Sequence, residues 1–387
     1  MKESKNMKLG IDISQIVYKG TGVARFTQGL TDAILNFDKK NKWIFFFSSL
    51  RRNIDPELGK KISEKGHSLI KWKIPPTLLS FFWNDLHFIS KHLTSNILHL
   101  TSFDWFITSD WTEPPLPVNK ATIVHDLVYL RYPETVDSKI LTTQKKRLSL
   151  VKHESKIIFA DSNATKQDLI DLLQIDSKKI HVNYPGVEVK KPSKEQVNLA
   201  LKKYNLKKPF ILTVGKIEPR KNIPRLVEAF KKNNNKSIDL VIVGPKGWDI
   251  SLYPPAGRVG RYNDILNNIH FLGLIPDIDL FALYSACLIF VFPSIWEGFG
   301  YPVVEAMRLG APIATSNTSS LKEVVDDSAL LFNPLSVNEM YQCIDTLIHD
   351  DSLRIELSKK AVERSKMFTW LNYYDKFISV LKNPLTR

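Results

Sequence analysis

The chain reads as α/β, two doubly wound domains built on parallel sheets. Short β-like runs alternate with helical patterns along the whole length, the pattern of strand–helix–strand units. One of them, CLIFVF at 287–292, is an unbroken apolar run of the length of a strand buried on both faces. At 387 residues the chain also exceeds one comfortable core.

In the first half the strand candidates are KLGIDI, WIFFFSS, HSLIKWK, NILHL, ATIVHDL, KIIFADS and KIHVNY. In the second half they are FILTVG, IDLVIVG, IHFLG, CLIFVFPS, APIATS and ALLFN. The first strand leads through a glycine turn into a predicted helix, FTQGLTDAIL, and FILTVG leads into IPRLVEAFKK. After CLIFVF a Glu-Gly-Phe-Gly turn precedes a helix whose first turn suits Pro302 and whose end is marked by Gly310-Ala311-Pro312. The stretch 186–208 is charged and helical or loop-like, and the predicted domain boundary lies there. Residues 352–381 read as two amphipathic helices closed by Asn383-Pro384. The predicted organisation is 1–190, then 205–365, then a terminal helix in 366–387.

Composition excludes several classes. With 43% hydrophobic and 24% charged residues and no repeat, the chain is an ordinary globular one. The first residues lack the apolar stretch of a signal peptide, and the longest apolar runs, 43–47 and 286–293, are too short to span a bilayer. Cys287 and Cys343 sit in core-like positions and form neither a disulfide framework nor a metal cluster. The expectation is a cytoplasmic protein. Its net charge of +14 fits solubility, an anionic nucleotide ligand or peripheral contact with an anionic membrane face. A nucleic-acid partner is not expected, because the basic residues form no arm and no aromatic-basic array. The segment 69–93 mixes basic, aromatic and aliphatic residues as an interfacial helix would, but core packing of the first domain is the expected reason.

Four loops carry the candidate chemistry. PSIWEGFGYPVVE at 293–305 places Glu297 on a glycine-rich strand-to-helix turn and Glu305 in the expected first helical turn. Its amides and carboxylates suit sugar hydroxyls, at the sheet edge where open α/β folds bind ligands. In the loop after FILTV, Gly215 and Lys216 precede Arg220 and Lys221, a basic pair suited to phosphate. The opening loop has Gly20 and Gly22 before a helix N-terminus, a place that favours a diphosphate, although Asp12 precedes the turn and the third glycine of a dinucleotide fingerprint is absent. His125 ends the strand ATIV, where it could bond a substrate hydroxyl. His67, His99 and His181 read as structural. Spacing alone supports a phosphate-and-hydroxyl site.

Together these motifs resemble the retaining GT-B glycosyltransferases of family 4, over nearly the whole chain. The likeness rests on TVGKIEPRKN, PSIWEGFGYPVVEAMRLGAPIATSN and SSLKEVVDDSALLFNP, and the opening GIDIS…GTGVARF with ATIVHDL is most similar to the bacterial mannosyltransferase branch. The resemblance implies two Rossmann-like domains with an interdomain cleft, the donor nucleotide held by the second, the acceptor by the first, and a last helix returning to the first. Arg220 and Lys221 match the phosphate-binding pair and Glu305 the glutamate on the donor ribose. Glu297 matches the glutamate near the donor sugar, with the amides of Phe299 and Gly300 beside it. His125 matches the histidine near the donor hexose and Gly22 the loop near the diphosphate. Thr318, Ser319 and Ser320 replace glycines common in relatives, and Lys216 stands where many have Arg.

The activity implied is hexosyl transfer with retention, most simply of mannose from GDP-mannose, to a glycan or lipid-linked saccharide in bacterial surface polysaccharide assembly. Glu297 and His125 are expected to position the sugar and stabilise positive charge at its anomeric carbon. Asp277 and Asp279 match the acidic pair with which many sugar transferases hold a divalent ion, but they open a helix, so capping is the expected role and no metal or other cofactor is expected. The rivals are a UDP- or ADP-sugar transferase, a nucleotide-sugar epimerase and a non-catalytic nucleotide-sugar-binding protein.

Overall fold

The computed structural model describes residues 6–18, 20–87, 103–207, 209–233, 235–247 and 268–384. The strand candidate at 96–100, with His99, and residues 88–93 of the amphipathic segment lie outside them. The chain divides into two compact units, one of Met1–Gly186 with Thr369–Arg387 and one of Val187–Phe368.

The first unit holds β1 (Lys8–Asp12), β2 (Lys42–Ser48), β3 (Ser68–Trp72), β4 (Trp105–Ser109), β5 (Asn119–Val124), β6 (Ser155–Ala160) and β7 (Ile180–Val182). They pair in parallel in the order β3-β2-β1-β4-β5-β6-β7. The strand β4 is not among the strands expected from the sequence. All five of its residues are buried, so its polar Thr108 and Ser109 give no outward face from which alternation could be read. In the second unit β8 (Phe210–Val214), β9 (Asp239–Val243), β10 (Ile269–Gly273), β11 (Ile289–Phe292), β12 (Ile313–Ser316) and β13 (Leu330–Phe332) pair in the order β10-β9-β8-β11-β12-β13, again parallel. The core of this unit packs Ile211, Leu240, Ile289 and Val291 of the sheet against Leu226, Phe230, Met340 and Ile344 of helices. In both sheets the order reverses once, between β1 and β4 and between β8 and β11. Ligands of open α/β sheets sit at such switch points, outside the carboxyl ends of the strands.

The charged stretch 186–208 contains the helix Lys194–Lys203, closed at its start by a capping box of Ser193 and Gln196. It belongs to the second unit, where Lys203 and the Tyr204 hydroxyl reach Asp279 Oδ2 at 2.6 and 2.8 Å. This corrects the reading of Asp277 and Asp279. The helix Asp277–Ala286 has Pro276 at its N-cap and no side-chain cap, and Asp279 is there for Lys203 and Tyr204. In the amphipathic segment, Leu79 and Trp83 are buried with Phe46, Phe103, Phe106 and Leu116, and Trp72 and Phe82 pack against them, whereas Leu78 and Phe81 are exposed.

The helix Trp370–Lys382 completes the first unit. Trp370 lies where a Cβ on Gly29 would come within 2.0 Å of its ring and one on Gly186 within 2.4 Å of its backbone nitrogen. Phe377 stacks on Trp43 and meets Phe159 at 4.7 Å between centroids. Gly29 lies inside the helix Gly22–Phe37, where alanine ordinarily stabilises by about 1 kcal/mol. Here Gly29→Ala is expected to reverse that sign and destabilise by about 1–3 kcal/mol through overpacking. Urea unfolding of the variant checks it.

Candidate functional site

At the second sheet's switch point, the loops after β8 and β11 meet. The residues after β8 form a short 3₁₀ turn, Pro219–Lys221, ended by Asn222 in a left-handed conformation (φ 59°). Arg220 and Lys221 therefore precede the helix Ile223–Asn233 rather than open it. Asn222 fixes the turn by donating to the carbonyls of Pro293 and Pro334 at 3.0 and 2.7 Å. After β11 the chain carries Glu297 back over this turn, with Ile295 N–H donating to the Arg220 carbonyl at 2.8 Å.

Glu297 is the hub. Its Oε1 takes Lys221 Nζ, Arg220 Nη1 at 3.1 Å and the Ser294 hydroxyl at 2.6 Å. Burial alone would raise its pKa, but the charges of Lys221 and Arg220 and hydrogen bonds from Lys221 and Ser294 bring it down to about 2. Lys221 is itself pulled downward, first by burial and then by Arg220, with Glu297 opposing. Arg220 Nε also reaches Glu218 Oε1 at 2.7 Å, and Lys216 stands 3.9 Å from Glu218 Oε2. Three cations thus face two carboxylates, leaving one net positive charge to meet an anion. Backbone dipoles must supply the remainder.

Other predicted residues take more specific places. The Gly215 N–H donates to the Val243 carbonyl at 2.8 Å, so that amide is committed. A Cβ there would lie in van der Waals contact with Lys221, whose Cδ is 3.4 Å from the position it would take. Gly300 adopts φ 99°, as the N-cap of the helix Tyr301–Arg308, a conformation open to glycine at little cost. The Phe299 ring is buried against Tyr301 and Phe368. Glu305 falls in the second turn of this helix, not the first. It is buried, and its Oε2 accepts from the Tyr284 hydroxyl at 3.2 Å. Hydrogen bonding rather than the helix dipole holds it.

The first unit carries a second polar cluster at its own switch point. Gly22 is the first residue of the helix Gly22–Phe37, four residues earlier than expected, because the Thr21 side chain caps it by accepting from the Ala24 N–H. His125 follows β5. Its Nδ1 lies 2.7 Å from Asp161 Oδ2 and its Nε2 3.1 Å from the Ser109 hydroxyl. Phe26 packs edge-on against the ring at 4.5 Å between centroids. Burial pulls the imidazole pKa down, yet the Asp161 charge and hydrogen bond, with Asp110 and Asp126, more than offset it and the net shift is upward. Burial likewise raises the Asp161 carboxyl. The upward shift favours the protonated ring, whose Nε2–H can donate to an oxygen. Asp12, at the end of β1, is pushed up to about 6, first by burial and against hydrogen bonds from Ser14 and Thr112.

Asp161, Ser109, Ser294 and Tyr284 were missed in the sequence. A usable signal existed for one class: GID, TSD, VHD and FAD each end an apolar run with aspartate, at Asp12, Asp110, Asp126 and Asp161. Among the described residues no group of three or more His, Cys, Asp or Glu is arranged to hold a metal ion, and no helix is long and apolar enough to cross a membrane.

Residues 199–364 match the family model Glycosyl transferases group 1. Over 268 residues the chain is 31% identical to O-antigen chain mannosyltransferase B of Escherichia coli, covering 67% of this chain and 69% of that one. This chain belongs to the group 1 glycosyl transferases. Within them it lies in the bacterial mannosyltransferase-like branch. The transferase is also 34% identical over 226 residues to the serotype-specific mannosyltransferase WbdA of Escherichia coli, covering 56% of this chain but only 27% of WbdA. Its fold is GT-B: the structure of Anabaena HepE in complex with UDP and glucose superposes with a TM-score of 0.71 over 97% of this chain and 99% of that one, at 17% identity.

Proposed function

We propose that this glycosyltransferase moves a hexose, mannose from GDP-mannose, onto a hydroxyl of a glycan or lipid-linked saccharide, with retention of configuration, in the assembly of a bacterial surface polysaccharide. The Glu297–Arg220–Lys221 cluster at the second switch point carries the reading. It offers fixed positive charge to a diphosphate, and it lies in a chain whose similarity to O-antigen chain mannosyltransferase B spans most of both proteins. The acceptor hydroxyl attacks from the face on which the nucleoside diphosphate leaves, and a leaving phosphate oxygen takes its proton. Arg220, Lys221 and nearby amides stabilise the charge developing on that phosphate. Glu297 holds the two cations in place, and Glu305 meets the ribose. His125 donates from Nε2 to a hexose oxygen. The reaction proceeds without a divalent ion.

Thermal shift with GDP, UDP and ADP sugars, each with and without chelator, tests the donor. GDP-mannose at a hundredfold excess over its Kd should stabilise by about 2.7 kcal/mol, with no loss in chelator. Product analysis with and without acceptor separates transfer from epimerisation. Anomeric NMR of the product reads retention. Stabilisation by UDP or ADP sugars alone would transfer the assignment to another donor. Activity lost in EDTA and restored by manganese would overturn the metal-free mechanism.

A further inference from the structure

The segment 293–298 that carries Glu297 belongs to neither strand nor helix, so something else must hold its carboxylate over Arg220 and Lys221. Three consecutive hydroxyls do so. Thr318 Oγ1 donates to the Ile295 carbonyl at 2.9 Å, Ser319 Oγ accepts from the Glu297 N–H at 3.1 Å, and Ser320 Oγ donates to the Glu297 carbonyl at 3.0 Å. Ser294 adds the bond to the carboxylate itself at 2.6 Å. Glu297 is thus gripped at its amide, its carbonyl and its side chain by separate serines. The odd member is Ser319. Its φ is 54°, in the left-handed region where a side chain is disfavoured and glycine is at ease. A residue kept in that conformation needs a compensating contact, and among the described residues its hydroxyl meets the Glu297 N–H.

We infer that Ser319 is a positioning residue for Glu297, setting the register of the carboxylate against the Arg220–Lys221 pair for transfer. The inference rests on the donor-site reading of that cluster. Ser319 touches no reacting atom; it acts by fixing the Glu297 amide, and hence the direction in which the side chain leaves the backbone. Ser320, fully buried, holds the carbonyl of the next peptide, on the other side of the Glu297 α-carbon.

The geometry makes stability and activity move in opposite directions. In Ser319→Gly the backbone keeps its φ at less cost, so the melting temperature should hold or rise. The amide of Glu297 loses its acceptor, so kcat should fall by about tenfold, the size of one lost positioning hydrogen bond, with the Kd for the nucleoside diphosphate changed less than twofold. In a Glu297→Gln background the same substitution should change kcat no further, because its effect passes through Glu297. Ser319→Ala, which keeps the unfavourable φ and loses the hydroxyl, should match the glycine variant in kcat but melt lower. A glycine variant with wild-type kcat overturns the inference. So does an equal loss of kcat in both backgrounds, or a loss confined to nucleotide affinity. Failure of the donor reading shows separately, as wild-type protein that neither binds a nucleoside diphosphate nor turns over any nucleotide sugar. In that event the inference falls with it.

Discussion

Lys221→Ala is expected to lower kcat/KM by a factor of roughly 30 to several thousand, about 2–5 kcal/mol, the range found when one partner of a buried charge pair is truncated. The side chain is largely buried, its ammonium meets Glu297, and it lies 5.1 Å from the centroid of the Phe292 ring. Removing it subtracts the one net positive charge of the cluster and leaves Arg220 and Ser294 on the Glu297 carboxylate. Both effects weaken the hold on a diphosphate. Calorimetric titration of the nucleotide and steady-state kinetics, with circular dichroism as the folding control, separate binding from turnover. Wild-type kcat/KM in a folded variant would remove Lys221 from the site.

The second large effect is pH-dependent and belongs to the first unit. If His125 donates from Nε2 as an imidazolium, kcat/KM should hold at and below pH about 6.5 and fall as pH rises through its raised folded pKa. The stabilisation that His125 contributes follows the same sign. It is fully present below the unfolded value and lost as pH rises through the folded one. Asp161→Asn removes the largest upward influence, leaving burial to pull the ring down with only Asp110 and Asp126 opposing. The alkaline fall should therefore move to lower pH, and kcat at neutral pH should drop by about 10- to 100-fold, as for a lost hydrogen bond to a charged group. Tyr373, from the returning helix, also faces Asp161 and stays a neutral phenol, chiefly through burial. The ring-proton NMR titration of His125 in the wild-type protein decides the matter directly. A midpoint below the ordinary histidine value would contradict the assignment whatever the variant does.

Much of the candidate site was legible because its chemistry is local. A strand's apolar run, the glycines after it and the first charged residue beyond lie within about ten positions of one another, as in Gly215 to Lys221 or Phe292 to Glu297. What spacing could not supply was partnership across the chain. Asp161 reads as the end of a strand until β5 and β6 lie side by side and bring it to His125, 36 positions away. Asp279 resembled a metal ligand or a cap until Lys203 and Tyr204 arrived from an earlier helix. The protonation of His125 was hidden for the same reason, because it depends on carboxylates from neighbouring strands. The strand β4 escaped because complete burial erases alternation.

By itself the sequence determined the alternation of strands and helices, the two parallel sheets and the loops that carry charge, since these follow from hydrophobic periodicity and turn residues acting over a few positions. The tertiary structure alone decided which charges are paired. It set Glu297 against Arg220 and Lys221, brought the Asp161 carboxylate to His125 Nδ1, and buried Arg147 beside Glu113 in the first unit with Nε 3.3 Å from Oε1. Electrostatic energy depends on distance and on exclusion of water, and both come into being only when remote segments pack.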